Sequence, residues 1–156
     1  MENKESPKMT GISEITGKMV RVRHATEADL VFIEERLKEH HFDTETLDYR
    51  EFVVATEDGE LIGLGRLKKT GEIYQIGCVI VVEEKRQRGI GSLIVKHLMD
   101  YAPVKIVYVL TDWVDYFKEL GFVEIKEGAK ELYDVCDAAC RVGGKQKTTF
   151  MACEKS

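Results

Sequence analysis

The sequence has little proline, little cysteine and no long apolar run, and each scarcity excludes a class of protein. Its 156 residues include only 2 prolines, whereas 44% are hydrophobic and 33% are charged. These proportions exclude collagen-like and intrinsically disordered chains. The longest apolar run, Ile76 to Val82, is far shorter than the roughly 18 residues that a membrane-spanning helix needs. We therefore expect a globular protein without a membrane partner.

The charge balance is acidic. Basic residues number 23 and acidic residues 28, which gives a formal net charge of -5 and argues against general affinity for nucleic acid. Segment 1–18 is polar and lacks the apolar stretch of a signal peptide, so we expect a flexible tail before a single domain at 19–156. The 4 cysteines, without a secretory signal, favour a reduced, cytoplasmic chain.

Hydrophobic periodicity in the first half predicts one strand, one helix and an antiparallel meander. Alternating apolar and basic residues after the tail are typical of a half-buried strand. Thr26, with Asp29 three residues later, predicts the start of a helix. Asp58-Gly59 is a strong hairpin signal. It opens a meander of three strands, of which the last, at 73–82, is apolar on both faces and expected to be central.

The second half predicts a strand-helix-strand unit. An apolar stripe indicates an amphipathic helix that ends before Pro103. The side chains of this stripe are Ile90, Leu93, Ile94, Leu98 and Tyr101. A strand is expected at 104–110, followed by a short helix that Asp112 caps and that Gly121 terminates, and a last strand at 148–153.

The segment Arg86–Ser92 lies between the central strand and the amphipathic helix and carries the sharpest chemical signal. Gly89 and Gly91 let the backbone approach a ligand closely, and a helix start directs N–H groups and a positive dipole end outward. Lys85, Arg86 and Arg88 add positive charge at the same place. The loop therefore predicts a phosphate or pyrophosphate site.

Three other interpretations of this loop differ in how well the residues fit them. A dinucleotide fingerprint needs a third Gly or Ala, which is missing after Gly91. A P-loop needs Lys-Ser or Lys-Thr after the last glycine, and neither follows. An ordinary strand-to-helix turn with solvated arginines stays open.

The wider pattern resembles a known family. Val79-Ile80-Val81, followed after four residues by Arg86-x-x-Gly89-x-Gly91, resembles the core signature of the GNAT superfamily of acyl-CoA-dependent N-acyltransferases. The segment 116–122 resembles the second hallmark of that family. Leu110-Thr111-Asp112, leading into Tyr116-Phe117, resembles the pattern of the N-acetylglutamate-synthase-like branch of the family more than that of the ribosomal-protein branch. The resemblance covers about residues 19–125, and the predicted element order agrees with it.

The resemblance implies a GNAT-like α/β fold, in which a mixed sheet (an antiparallel meander, then strand-helix-strand) carries helices on both faces. It implies acetyl-CoA as co-substrate, with the pantetheine arm on the backbone of Val79, Ile80 and Val81. The pyrophosphate would be held by the backbone amides of Gln87, Arg88, Gly89, Ile90, Gly91 and Ser92.

The implied activity is acetyl transfer to a primary amine of a small molecule or amino acid by direct attack. A non-catalytic acyl-CoA-binding or sensor domain and a protein N-acetyltransferase are the alternatives, and a homodimer is left open.

The sequence departs from the commonest family pattern at two catalytic positions. Gln75 stands where many members carry a Glu, and Phe117 where many carry a Tyr that acts as general acid. Tyr116 is the remaining candidate acid, although one helical residue rotates a side chain by about 100° and a packing role is the alternative. Asp112 and Glu72 are candidate bases acting through water, or else cap and turn residues.

The remaining candidates are weaker. For His40 and His41 a surface-loop pair is favoured over an acceptor or metal role, and His97 and Cys78 are expected in the core. An acidic acceptor mouth and a solvated face are both open for one run: Asp43, Glu45, Asp48 and Glu51. Cys136, Cys140 and Cys153 invite a zinc hypothesis, but no CxxC pair or nearby His supports it, so no metal is predicted.

Overall fold

The computed structural model describes residues 13–15, 18–42, 44–45, 47–126, 141–142, 145–146 and 149–155. The strands are β1 (Ser13–Ile15), β2 (Lys18–His24), β3 (Phe52–Glu57), β4 (Glu60–Thr70), β5 (Ile73–Val81), β6 (Ile106–Thr111), β7 (Val123–Glu124), β8 (Arg141–Val142), β9 (Lys145–Gln146) and β10 (Thr149–Glu154). The α-helices are α1 (Leu30–Glu39), α2 (Ile90–Tyr101) and α3 (Val114–Glu119). Short 3-10 turns lie at Glu27–Asp29, Tyr49–Glu51 and Glu83–Lys85.

One mixed sheet organises the chain. Eight strands lie in the order β1-β2-β3-β4-β5-β6-β10-β7, and β8 and β9 form a separate hairpin. The pairing between β5 and β6 is parallel, whereas the other neighbours in the large sheet are antiparallel. The predicted meander and strand-helix-strand unit are therefore confirmed. The sheet begins earlier than expected, because β1 lies inside the segment predicted as a tail and pairs with β2.

Local signals for turns and helix ends are confirmed by backbone geometry. Asp58 and Gly59 both adopt positive φ (50° and 87°), as a tight hairpin turn of the primed type requires. Gly121 follows α3 with φ 98°, the left-handed conformation of a helix C′ residue. At the start of the first helical segment, the Thr26 backbone N–H donates to Asp29 Oδ2 at 2.7 Å.

The two faces of the sheet carry separate cores, with helices on both sides as predicted. Ile90, Ile94 and Leu98 of α2 pack on one face, and Ile33 and Leu37 of α1 pack on the other.

One member of the predicted stripe is wrong. Tyr101 is 46% exposed, because α2 ends there and the buried Ala102 takes the next place against the core. The Tyr101 ring instead lies 4.3 Å from that of His24. His97 is buried as predicted.

Candidate active site

A cleft opens where the two parallel strands separate. Gln75 pairs with Tyr108 and Ile76 with Val109, and no further pair joins these two fully described strands. Beyond that point β5 continues to Val81 and its edge diverges from β6. The resulting cleft has a volume of about 790 Å³.

A bulge in β5 lies beside the cleft. Leu64 of β4 pairs with Ile80, but Arg66 pairs with Gly77, so that Cys78 and Val79 together oppose one residue of β4. Such an insertion bends and twists the strand locally. Cys78 adopts φ 55° at this point and is buried, as predicted for a core cysteine. The bulge therefore turns β5 away from β6.

Close packing of α2 against β4 explains why β4 carries a glycine at position 65. A Cβ built at Gly65 would come within 2.5 Å of Ile94 Cγ2 and 3.0 Å of Leu98 Cδ1. Helix α2 thus approaches the sheet as closely as backbone permits, and its amino end reaches the cleft.

The start of α2 is open toward the cleft. The helix begins after Gly89 (φ 82°), with Gln87 also at positive φ (64°), and no side chain caps its first amides. A Cβ at Gly89 would find no atom within 4 Å, whereas one at Gly91 would lie 3.3 Å from Tyr116 Oη. Unpaired N–H groups at a helix start beside open space suit a diphosphate.

The predicted coenzyme-binding residues share this cleft with one exception. Val79, Ile80 and Val81 line it along β5. Its helix-side wall is lined by Gln87, Gly89, Ile90, Gly91 and Ser92. Arg88 is absent from the lining and turns toward the sheet instead.

Lys85 and Arg86 line the cleft as expected, whereas Arg88 does not, and Lys85 and Arg88 share one acidic partner. Glu57 is only 3% exposed. Its Oε1 accepts from Lys85 Nζ at 2.7 Å, and its Oε2 accepts from Arg88. Hydrogen bonds from Arg88 and then Lys85 lower the pKa of Glu57 to about 2. Arg86 Nε donates to the Val81 carbonyl at 2.8 Å.

Sequence reasoning missed Glu57 because it stands beside a hairpin turn, where a solvated carboxylate is the usual arrangement. β3 lies between β2 and β4 in the sheet, and hydrophobic cores pack on both of its faces. All six residues of this strand are consequently buried. The only available signal was a run of cations in the loop with no assigned counterion.

Tyr116 faces the cleft, and Phe117 faces the core. The Tyr116 hydroxyl lies 3.0 Å from Ser92 Oγ in the first turn of α2. Phe117 is buried and packs edge-on against Phe122, with 5.3 Å between ring centroids. Both residues line the cleft, but the Tyr116 hydroxyl lies beside the first turn of α2, whereas the Phe117 ring belongs to the core.

The two candidate bases from the sequence are separated. Asp112 lines the cleft, but it is not the predicted helix cap, since Trp113 occupies that position. Glu72 lies in the exposed β4–β5 turn, about 13 Å of extended strand before the first cleft residue of β5. Glu72 is therefore not among the residues that line the cleft. Gln75 is buried beside the point where β5 and β6 part.

His40 and His41 have different surroundings, which corrects their interpretation as a surface pair. His40 follows α1 and lines the cleft, whereas His41 is exposed and adopts φ 63°. Burial, and then the charge of Arg86, lower the pKa of His40; Glu39 acts in the opposite direction, and His41 and Arg36 add to the lowering. His40 is therefore neutral near pH 7.

The acidic run before β3 serves local structure where it is described. Asp48 accepts from the Arg50 backbone N–H at 2.9 Å. Glu51 accepts from Arg66 Nε at 2.9 Å, and Arg66 is buried above the Phe52 ring. These contacts disfavour an open acidic mouth.

Several sequence predictions concern residues outside the described ranges, namely Asp43, Cys136 and Cys140. Burial raises the pKa of the Cys153 thiol. Within the described ranges, no three His, Cys, Asp or Glu side chains group around a common point. The described helices include none with the length and apolar character needed to cross a bilayer.

The splayed parallel pair, the bulge and the open helix start together define the GNAT class of fold. Residues 19–122 match the Acetyltransferase (GNAT) family, and the chain belongs to that family.

A relative from Chlorobaculum tepidum, the uncharacterized N-acetyltransferase CT2212, is 34% identical over 82 residues, which are 50% of this chain and 53% of the relative. The chain thus spans about half of that protein.

Solved structures show the same fold at low identity. N-acetylglutamate synthase from Neisseria gonorrhoeae, complexed with coenzyme A and N-acetyl-glutamate, has a TM-score of 0.68 at 20% identity; the match covers 88% of this chain and 35% of the synthase. Rv2747 from Mycobacterium tuberculosis, in a complex that includes CoA, has a TM-score of 0.68 at 21% identity, covering 86% of this chain and 99% of Rv2747.

Proposed function

We propose that the chain transfers an acetyl group from acetyl-CoA to the primary amine of a small molecule, such as an amino acid. One observation carries this proposal: the uncapped amino end of α2 faces a cleft whose opposite wall is the unpaired edge of β5. Family membership and the CoA complexes of proteins with this fold support it.

The cleft suggests how acetyl-CoA would lie. The diphosphate would accept hydrogen bonds from the amides of 87–92, where the helix dipole favours negative charge. The pantetheine arm would then run along 79–81 as an added strand, because this edge of β5 has no partner in β6. The thioester would come to the bulge, where a backbone N–H of the same segment can donate to the developing oxyanion.

Direct attack removes two protons from an ammonium, one before and one after the C–N bond forms, and gives one proton to the leaving thiolate. The lone pair of a neutral amine attacks the thioester carbonyl, the C–N bond forms, and the C–S bond breaks as the thiolate leaves. The thiolate takes a proton from Tyr116, whose hydroxyl lies beside Ser92 Oγ, and the tyrosinate then regains a proton from solvent. A thiol pKa near 8.5 makes this assistance modest rather than essential.

The amine must lose protons, because an alkylammonium has a pKa near 10.4. His40 is the base that the cleft provides: it lines the wall, and burial and Arg86 keep it neutral. Asp112 is a second acceptor on the same wall. Gln75, which replaces the common glutamate, has no basic group to contribute.

The cleft has the size of a small-molecule site, and much of its lining is assigned to acetyl-CoA. About 790 Å³ lies within the range of roughly 300–1,000 Å³ that small-molecule sites occupy. A second candidate function is that of a domain that binds acyl-CoA without turnover. It is favoured by Gln75 and Phe117, which stand where many family members carry a catalytic Glu and Tyr.

A single assay separates these functions. The purified chain is incubated with acetyl-CoA and a panel of amino acids, polyamines and peptides, while released thiol is titrated and products are weighed by mass spectrometry. We expect thiol release that depends on a small amine, with a product heavier by one acetyl group. Acetylation of peptides alone would indicate a protein acetyltransferase, and CoA binding without thiol release would indicate the non-catalytic domain.

A further inference from the structure

We propose that Glu57 is a positioning residue for coenzyme binding: its carboxylate fastens both halves of the β5–α2 loop and so directs the amides of that loop at the diphosphate. This inference rests on the proposed binding of CoA at the start of α2. Glu57 itself does not line the cleft and acts through Lys85 and Arg88.

The two oxygens of this carboxylate hold different parts of the loop. Lys85, bonded to Oε1 at 2.7 Å, ends the 3-10 turn that follows β5. Arg88, bonded to Oε2, immediately precedes Gly89 and the start of α2. The Glu57 side chain is 2% exposed, whereas those of Lys85 and Arg88 are 24% and 18% exposed. A single buried group thus fixes the loop at both ends.

The segment between these two points needs such support. Gln87 lies between Lys85 and Arg88 and adopts φ 64°, and Gly89 follows with φ 82°. A left-handed conformation at a residue with a Cβ persists only when its surroundings enforce it. The direction of each backbone N–H follows from these dihedral angles. If the two ion pairs are lost, the N–H groups would therefore no longer point at one diphosphate position.

Other contacts hold the first part of the loop to the end of β5. The Val82 N–H donates to the Ile62 carbonyl at 2.9 Å, and Arg86 Nε donates to the Val81 carbonyl. Both bonds act at the end of β5. Glu57 is the group that joins Lys85 to Arg88.

The test compares CoA binding by the wild-type chain, Glu57→Gln and Glu60→Gln, measured by isothermal titration calorimetry with CoA itself. Glu60 is exposed and pairs with Glu57 across the hairpin, so its variant makes the same charge change nearby without touching the loop. We expect CoA to bind about tenfold more weakly to Glu57→Gln, the order seen when an orienting group behind a direct contact is removed. Glu60→Gln should bind like wild type.

Steady-state kinetics provide a readout that a loss of stability alone would not move. Glu57→Gln should raise KM for acetyl-CoA in proportion to the loss of affinity, with kcat at saturation and KM for the acceptor nearly unchanged. If this variant does not fold, Arg88→Met carries the test, because it removes one tie and leaves Lys85 on the carboxylate. The Met variant should also bind CoA more weakly.

The possible failures are distinguishable. Wild-type affinity in a folded Glu57→Gln or Arg88→Met variant would overturn the positioning role and leave the proposed function intact. Equal weakening by Glu60→Gln would overturn it as well, since a general charge effect would then suffice. Absence of CoA binding by the wild-type chain would contradict the proposed function and this inference together.

Discussion

Replacing Gly89 by alanine separates ligand binding from folding. Gly89 has φ 82° at the start of α2, and a Cβ there would meet nothing within 4 Å. Gly59 has φ 87° in a hairpin turn, and a Cβ there would also meet nothing within 4 Å. The two positions therefore impose the same backbone strain, but only Gly89 lines the cleft. Gly59→Ala is thus a matched control.

The expected costs follow from this geometry. A left-handed conformation costs a residue with a Cβ roughly 1–2 kcal/mol, partly offset by about 0.4–1 kcal/mol of reduced freedom in the unfolded chain. Both variants should lose about 1 kcal/mol of unfolding free energy, or roughly 2–4 °C in Tm. The methyl group at Gly89 would also occupy the space in front of the helix amides.

The effect on binding should be larger than the effect on folding. A hydrogen bond to a charged group contributes about 1.5–3 kcal/mol, so losing one weakens CoA binding by at least about tenfold. Thermal unfolding and calorimetric titration with CoA measure the two effects separately. Equal CoA affinity for Gly89→Ala and Gly59→Ala, at equal Tm, would refute the assignment of the diphosphate to this helix start.

Three further outcomes are expected. The pKa of Glu57 is about 2, against an ordinary 4.5, so its ion pairs stabilise the fold fully above pH 4.5 and lose this effect as the pH falls toward 2. Urea unfolding at several pH values should show the difference in unfolding free energy between wild type and Glu57→Gln shrinking over that interval. A difference that does not depend on pH would contradict this expectation. His40→Gln should lower kcat/KM and remove the acid limb of the pH profile of kcat/KM. In the wild type this limb should lie below the ordinary histidine pKa, because burial and Arg86 lower the pKa of His40. His41→Gln, at the exposed neighbour, should keep the limb, and an identical profile for both variants would exclude His40 as the base. Tyr116→Phe should reduce kcat by no more than about 10²-fold, the lower end of general acid catalysis, because a thiolate is already a fair leaving group. KM for acetyl-CoA should change little, and an unchanged kcat would show that the tyrosine only packs.

Much of the fold was predictable because local signals and tertiary structure agree. The Asp58-Gly59 turn, the Thr26 capping pattern and the Gly121 helix end depend on backbone conformations that few residue types favour. The apolar central strand and the stripe on α2 similarly reflect burial against a sheet. These features needed no knowledge of distant contacts.

The parts of the site that sequence reasoning missed depend on such contacts. Glu57 is buried in an interior strand of the sheet, and its partners Lys85 and Arg88 lie 28 and 31 residues later in the chain. The bulge at Cys78 uses a cysteine, not a glycine, at positive φ, so the residue type gave no warning. His40 and His41 differ in their surroundings because of how the chain turns after α1, which the sequence does not indicate. The number of charges in the loop likewise could not identify Glu57 as the partner of Lys85 and Arg88.

The most direct test of the central claim is a titration of the ¹⁵N-labelled chain with CoA, followed through the backbone amide resonances. The account predicts that the largest shifts occur at 87–92, where amides bind the diphosphate, and along 79–81, where the pantetheine lies. Saturable shifts confined to other segments, or none at millimolar CoA, would contradict it.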